Sequence, residues 1–351
     1  MIHIVVLGGG YGGLEVVKRL LTKKSKAPFC MTLIDRQPFH TIKTENYALA
    51  AGTLADYQTR VSFPKHPLLD LIYDEVKQIN LKQQWVETSN QRISFDYLVI
   101  ALGSEDRFDL VKGARDYARS IQTIEETRRT SVALLNTKPY GTVKIVGGGL
   151  TGVELASELR ESREDLNIHI YEKGNQVLKT LPKKIQNYAS DWLKRHDIEV
   201  LTHSNIEFIG KHNVYRNGLR EEADLILWAA GIQSNAVVRG LMEEKDQMGR
   251  LKIDSLNRVQ NYPNIFAIGD CSSTPFPPSA QIAQQQGSQV AIILHHLINR
   301  KKPIRIKPIK NKGVLGTLGK KDGFGMVSGV ELTGKLPRIL KRGVEWQHIN
   351  R

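Results

Sequence analysis

Two glycine-rich turns written to one plan constrain this chain more than any other feature. Ile4-Val5-Val6-Leu7 runs into Gly8-Gly9-Gly10-Tyr11-Gly12-Gly13, and the next apolar strand ends at Asp35. Val143-Lys144-Ile145-Val146 runs into Gly147-Gly148-Gly149-Leu150-Thr151-Gly152, and the next apolar strand ends at Glu172. Each copy closes on a similar strand and turn, Asp96 to Gly103 in the first and Ala223 to Gly231 in the second. One glycine box is weak evidence. Two, each between a strand and a helical stretch and each with an acid about 20 residues on, predict two dinucleotide sites. The first glycine of each box (Gly8, Gly147) permits the sharp bend, the second (Gly10, Gly149) lets backbone approach a pyrophosphate, and the third (Gly13, Gly152) lets the helix lie against the sheet. The helix N-terminus then offers N–H groups and a partial positive charge. Asp35 and Glu172 are placed to accept from adenosine ribose hydroxyls. Glu172 also disfavours a 2′-phosphate, an argument that Lys173 beside it weakens.

The expected fold is α/β: two Rossmann-like dinucleotide-binding domains plus a short C-terminal segment. Two such sites in one chain are most economically filled by a flavin and a nicotinamide. Residues 1–112 and 233–300 read as a discontinuous first domain, 113–232 as a second, and 301–351 as a basic C-terminal segment. A helix is expected from Gly12 to about Leu21. Residues 64–100 suggest a short helix followed by antiparallel strands, and a later hairpin turns at Asn217-Gly218. A helix from about Ala280 to Asn299 places Ile282, Val290, Ile293, Leu294 and Leu297 at core spacing. Its start, Gln281-Ile282-Ala283-Gln284-Gln285-Gln286-Gly287, carries more glutamine than a plain core helix needs.

The chain has 351 residues and a formal net charge of +14. Thirteen Lys and Arg against three acids put +10 of this in residues 301–351. Such a surface can meet anionic lipid or an acidic partner, or merely be solvated. Nucleic acid is disfavoured because no binding motif accompanies the charge. Pro337 and Gly343 are expected to limit any helix there to one or two turns. No apolar run reaches the 18 or so residues of a membrane span, and Met1 leads straight into the first strand, so a cytoplasmic protein is expected. Cys30 and Cys271 are the only cysteines, far apart and outside any C-x-x-C pair, so no local redox disulfide is expected; Cys30 reads as core. The ten histidines show no metal-ligand spacing, and no metal site is expected.

Together, Gly8 to Gly13, Ala101-Leu102-Gly103-Ser104, Gly147 to Glu154, Trp228-Ala229-Ala230-Gly231 and Ile268-Gly269-Asp270 resemble the two-dinucleotide-domain flavoprotein family. Pro278 to Gly287 resembles the quinone-site helix of the type II NADH dehydrogenases. The resemblance covers roughly residues 1–325 and implies FAD at the first box and NADH at the second. For FAD it implies Gly8, Gly10, Tyr11, Gly12, Gly13, Asp35, Arg36, Ala101, Gly103, Gly269, Asp270, Ala280, Gln281 and Ile282, with Asp270 on the ribityl chain. For NADH it implies Gly147, Gly149, Leu150, Thr151, Gly152, Glu154, Glu172, Ala230 and Gly231. It implies catalytic parts for Glu154, Gln281 and Gln285. Glu154, read as two residues into its helix, has a bland alternative as a carboxylate favoured at a helix N-terminus.

The reading is an FAD-dependent NADH dehydrogenase that passes two electrons to a quinone-like acceptor. Two alternatives stay open: a reductase of a protein electron carrier, and a non-catalytic flavin redox sensor. The sequence leaves open a homodimer and a peripheral contact of the basic C-terminus with anionic membrane.

Overall fold

The strand Ile4-Val5-Val6-Leu7 is apolar at every position because both of its faces are covered, as parallel sheets require. The computed structural model describes residues 1–300 and 306–349. It places Ile2–Leu7 at the centre of a five-stranded parallel sheet, in the order Ile265–Ala267, Tyr97–Ile100, Ile2–Leu7, Phe29–Asp35, Leu69–Tyr73. Ile4 and Val6 face one core with Leu33, Val99 and Phe266, under Leu14, Val17 and Leu20 of the helix Tyr11–Leu21 and Val290 and Leu294 of the helix Ala280–Ile298. Val5 and Leu7 face the other core with Ile34, Leu98 and Ile100, under Val76, Ile79 and Val86 of a three-stranded antiparallel meander.

The second glycine box repeats the arrangement. Ile198–Leu201, Asn167–Tyr171, Thr142–Val146 and Leu225–Trp228 form a parallel four-stranded sheet in that order. Val143 and Ile145 face the helical side, with Val153 and Leu159 of the helix Leu150–Ser162 and Trp192 and Leu193 of the helix Lys183–Arg195. Val146, Tyr171, Ile226 and Trp228 face a second meander, Ile206–Ile209, Asn213–Arg216 and Leu219–Glu222. Its turn is at Asn217-Gly218, both left-handed (φ 51 and 77), the two-residue turn that Asn-Gly favours.

The chain divides into two compact units. The first comprises Met1–Thr41, Arg60–Glu105 and Ile232–Asn311. The second comprises Ile42–Thr59, Asp106–Gly231 and Lys312–Arg351. Within the second unit a third meander, Gly313–Leu318, Asp322–Val327 and Val330–Gly334, leads into the helix Lys335–Ile349.

Three local expectations give way. No helix forms near residue 64; Leu69–Tyr73 is instead the outer parallel strand, paired with Phe29–Asp35. The C-terminal helix runs 15 residues. Pro337 falls in its first turn, where the missing N–H forfeits no bond. Gly343 costs about 1 kcal/mol in a helix interior, an amount that packing of this helix on the strands Gly313–Leu318 and Asp322–Val327 can offset. Leu297 is exposed rather than in the core of its helix.

Candidate functional site

Both glycine turns have the shape a phosphate cradle needs. Gly8 and Gly147 take left-handed φ of +95 and +115, and a Cβ there would lie 2.4 Å from Ala101 O and 2.3 Å from Ala229 O. Those carbonyls lie one residue past the closing strands Tyr97–Ile100 and Leu225–Trp228, aligned because Ala101 N–H donates to Leu7 O and Ala229 N–H to Val146 O, each at 2.8 Å. The turns run on through Gly103 and Gly231, both left-handed; Ala230 lies between Ala229 and Gly231. Gly10 and Gly149 are exposed, and a Cβ on either would meet nothing within 4 Å. They cap the helices that begin at Tyr11-Gly12 and Leu150-Thr151 without any side-chain acceptor. Elsewhere in the chain the helices Ile124–Leu135 and Ala280–Ile298 are capped by the Thr123 and Ser279 hydroxyls. Open space in front of a side-chain-free helix N-terminus fits a pyrophosphate.

The two acids are already anchored by backbone. Asp35 accepts from Gly9 N–H at 2.6 Å and Gln37 N–H at 2.8 Å. Glu172, buried, accepts from Gly148 N–H at 3.0 Å and Gly174 N–H at 2.6 Å. Each carboxylate therefore sits against the second residue of its own glycine box, where a ribose would follow the phosphates. Arg36 is exposed beside Asp35.

In the first unit, Gly269 is left-handed (φ +71) and Asp270 accepts from the Ser104 hydroxyl at 2.7 Å. Asp270 also lines a cavity of about 390 Å³ with Ser104, Gln233, Arg250 and Phe276. The glutamine helix Ala280–Ile298 starts nearby in sequence with Ala280 as its first residue. Ile282 is buried. Gln285 grips the backbone of Lys310 from both sides, donating to its C=O and accepting from its N–H, each at 2.9 Å. Gln281 donates to Asn311 Oδ1 at 3.3 Å, and Gln289, one turn beyond Gln285, donates to Lys307 O at 2.7 Å. The stripe 281, 285, 289 thus fastens residues 307–311 along one face of the helix. Gln289 and the wholly buried Gln286 were not singled out from sequence; the excess of glutamine over what a core helix needs was the available signal.

Glu154 belongs to the second unit and is the fifth residue of the helix Leu150–Ser162, past the first turn where a carboxylate meets free N–H groups. It is buried among other partners: Lys341 Nζ donates to it at 2.6 Å and Thr317 N–H at 3.0 Å. Lys341, buried on the C-terminal helix, also donates to the Tyr47 hydroxyl at 2.9 Å and lies over its ring at 4.5 Å. Lys341 was invisible in sequence as one of thirteen basic residues in the final segment.

A second buried cation, Lys144, faces the meander side of its sheet and donates to Glu221 at 2.8 Å. Arg216 pairs with the other oxygen at 2.6 Å, and the Tyr171 hydroxyl also donates to Glu221. Burial pushes the Glu221 carboxyl up, but these three donors outweigh it and hold it at about 2. A carboxyl depressed from the ordinary 4.5 adds stability above that value and loses it as pH falls toward 2. Glu221→Gln is therefore expected to be less stable than the parent at pH 7 and to show a flatter loss of stability between about pH 5 and 2 in urea titrations. Equal acid slopes for the two proteins would contradict this. Cys271 is buried, and burial pushes its thiol up to about 11. Cys30 is half-buried rather than in the core, and both cysteines are free. Among the described residues no group of three or more His, Cys, Asp or Glu could hold a metal ion.

The chain is 43% identical to the NADH dehydrogenase-like protein YutJ of Bacillus subtilis, over 99% of each. It is 29% identical to the type II NADH:quinone oxidoreductase of Staphylococcus haemolyticus, over 97% of this chain and 94% of that protein. Its fold matches that of NDH2 from Plasmodium falciparum, solved in complex with NADH, with a TM-score of 0.85 at 20% identity, covering 99% of this chain and 94% of the other. The model of the pyridine nucleotide-disulphide oxidoreductase family matches residues 2–287. With two glycine turns of the shape a phosphate cradle needs, each backed by an anchored acid, the chain belongs to the pyridine nucleotide-disulphide oxidoreductase family.

Proposed function

We propose that this protein is a type II NADH dehydrogenase that delivers electrons to a quinone. It is an oxidoreductase of the NADH dehydrogenase-like group and uses FAD and NADH. The observation that carries the reading is the pair of glycine turns whose helix N-termini have no side-chain cap. Gly10 to Gly13 would hold the FAD pyrophosphate, Asp35 its adenosine ribose and Asp270 its ribityl chain. Gly149 to Gly152 would hold the NADH pyrophosphate and Glu172 its ribose. FAD, when bound, supplies the two-electron chemistry. The buried Cys271, with its raised thiol, is poorly suited to share it.

The quinone is supported by relatives named as type II NADH:quinone oxidoreductases. Gln281 and Gln285 are engaged with Lys310 and Asn311, so their proposed part at the acceptor is to shape that side of the first unit by fixing this strand of backbone. Glu154 is held by Lys341 and Thr317 as a fixed group rather than a swinging one; its proposed part is to orient the nicotinamide end of NADH from the helix that starts at the second box.

No helix among the described residues is long and apolar enough to cross a membrane. The C-terminal helix exposes Leu336, Ile339 and Leu340 between the exposed Lys335 and Arg342, a pattern suited to lying on an anionic lipid surface. The proposed setting is the cytoplasmic face of the cell membrane, with peripheral contact through this helix. Steady-state NADH oxidation tests the whole reading, with a short-chain quinone or an iron–sulfur carrier protein as acceptor, with and without anionic vesicles. Quinone turnover at least about tenfold above carrier turnover is expected, rising when vesicles present a long-chain quinone. Flavin that NADH bleaches but no quinone reoxidises would remove the quinone assignment and leave the oxidoreductase standing.

A further inference from the structure

The glutamine helix does more than present Gln281 and Gln285. Gln286 is wholly buried, and its carboxamide closes on the turn that carries Asp270. Gly269 N–H donates to Gln286 Oε1 at 2.8 Å. A backbone N–H can only donate, so the amide oxygen must face Gly269 and the amide nitrogen must face away. That nitrogen donates to Asn257 Oδ1 and to Ser272 Oγ, each at 3.0 Å. Asn257 Nδ2 in turn donates to Gln289 Oε1 at 2.8 Å, and Gln289 Nε2 to Lys307 O at 2.7 Å.

Three carboxamides therefore form one directed chain from a backbone N–H to a backbone C=O. Every amide in it has a single orientation that satisfies its neighbours, and hydrogen bonds in such a chain polarise one another. Asn257 is itself buried and left-handed (φ 61), an uncommon backbone state held in place by its bonded side chain. Ser272 closes the loop by donating to Gly269 O at 2.9 Å. Both polar groups of Gly269 are thereby fixed, and with them the start of the Gly269–Cys271 turn.

One residue further, Gly287 meets the first glycine box. A Cβ on Gly287 would lie 2.4 Å from Gly12 O. The same turn of the helix thus touches the phosphate cradle through Gly287 and the Asp270 turn through Gln286. These are the two protein features that would hold adjoining parts of FAD, its pyrophosphate and its ribityl chain.

We propose that Gln286, supported by Asn257, is a positioning residue for the flavin: it fixes the distance between Asp270 and the Gly8–Gly13 cradle. This rests on FAD occupying the first unit. Nothing in the chain requires Gln286 to touch the cofactor; it acts through Gly269 and Asp270.

The test uses full-length holoprotein. FAD release on dilution is followed by the rise in flavin fluorescence, and the visible circular dichroism of bound flavin is recorded before dilution. Gln286→Met removes the acceptor for Gly269 N–H and is expected to release FAD about tenfold faster or more, with an altered visible dichroism, the size of effect of one unmade buried hydrogen bond. Asn257→Ser removes only the next link and is expected to speed release about threefold. Val86→Ala, in the core of the first meander, lowers thermal stability without touching the chain of amides and is expected to leave release and dichroism unchanged. Release at the parental rate from Gln286→Met overturns the proposal, as does equal acceleration by Val86→Ala. Should Gln286→Met not fold, a parental rate and parental dichroism in Asn257→Ser overturn it. A parent protein that retains no FAD would instead defeat the FAD assignment itself.

Discussion

Gly152→Ala is expected to leave the protein yellow while its kcat/KM for NADH falls about 100-fold, the cost of displacing a bound reactant by about 1 Å. The physical reason lies in one contact. A Cβ on Gly152 would sit 1.9 Å from Gly147 O, far inside any real carbon–oxygen approach. The helix Leu150–Ser162 must back away from its own glycine turn, and its N–H groups leave the position in which they face a phosphate. The twin position makes the opposite split. A Cβ on Gly13 would sit 2.0 Å from Gly8 O, so Gly13→Ala is expected to purify with little or no flavin, whatever its affinity for NADH. Measured together, flavin content and the NADH dependence of turnover assign one cofactor to each box. Gly152→Ala with an NADH KM and kcat within about twofold of the parent would refute the assignment of NADH to the second box.

That twin contact also explains why so much was legible in sequence. A strand-to-helix turn with no room for Cβ at two fixed places can be written only with glycine there, so both cradles announce themselves in the residues. The same holds for Asn217-Gly218, where two successive left-handed residues are needed. The alternation that puts Val5 and Leu7 on one side and Ile4 and Val6 on the other leaves no such mark, because apolar residues stand at every position; only the parallel, doubly covered sheet could be inferred. Leu69–Tyr73 misled for a related reason: a short apolar run has no period of its own, and its strand character comes from pairing with Phe29–Asp35. Long-range polar contacts were the least legible. Lys341 and Glu154 lie 187 residues apart, and Asn257 and Gln286 lie 29 apart. Nothing local to a lysine in a basic tail distinguishes the buried one from those in solvent.

Lys341→Met is expected to cost about 3–5 kcal/mol, because it strands the Glu154 carboxylate in a buried site without its cation. Both side chains are almost wholly enclosed, at 10% and 7% exposure, so water cannot take over the lost charge. Thr317 still donates through its N–H at 3.0 Å and its hydroxyl at 3.4 Å, and neutral hydrogen bonds are small against the desolvation of a carboxylate. The Tyr47 hydroxyl and ring lose the same partner. Glu154→Gln in the same background should recover most of the loss, since a neutral pair in that volume no longer carries an uncompensated charge. Arg342→Met, the exposed neighbour on the same helix, should change stability by no more than about 0.5 kcal/mol. Urea midpoints with unchanged slopes would measure all three. Hydrogen exchange would show where the loss falls: if Lys341 is the pin of the C-terminal helix, amides of residues 338–343 lose protection before those of the strands Thr142–Val146 and Leu225–Trp228. A Lys341→Met protein as stable as the Arg342→Met one would mean that the buried pair contributes nothing, and the C-terminal helix would then owe its place to its packing and to contacts such as that of Arg338 with Lys320 O.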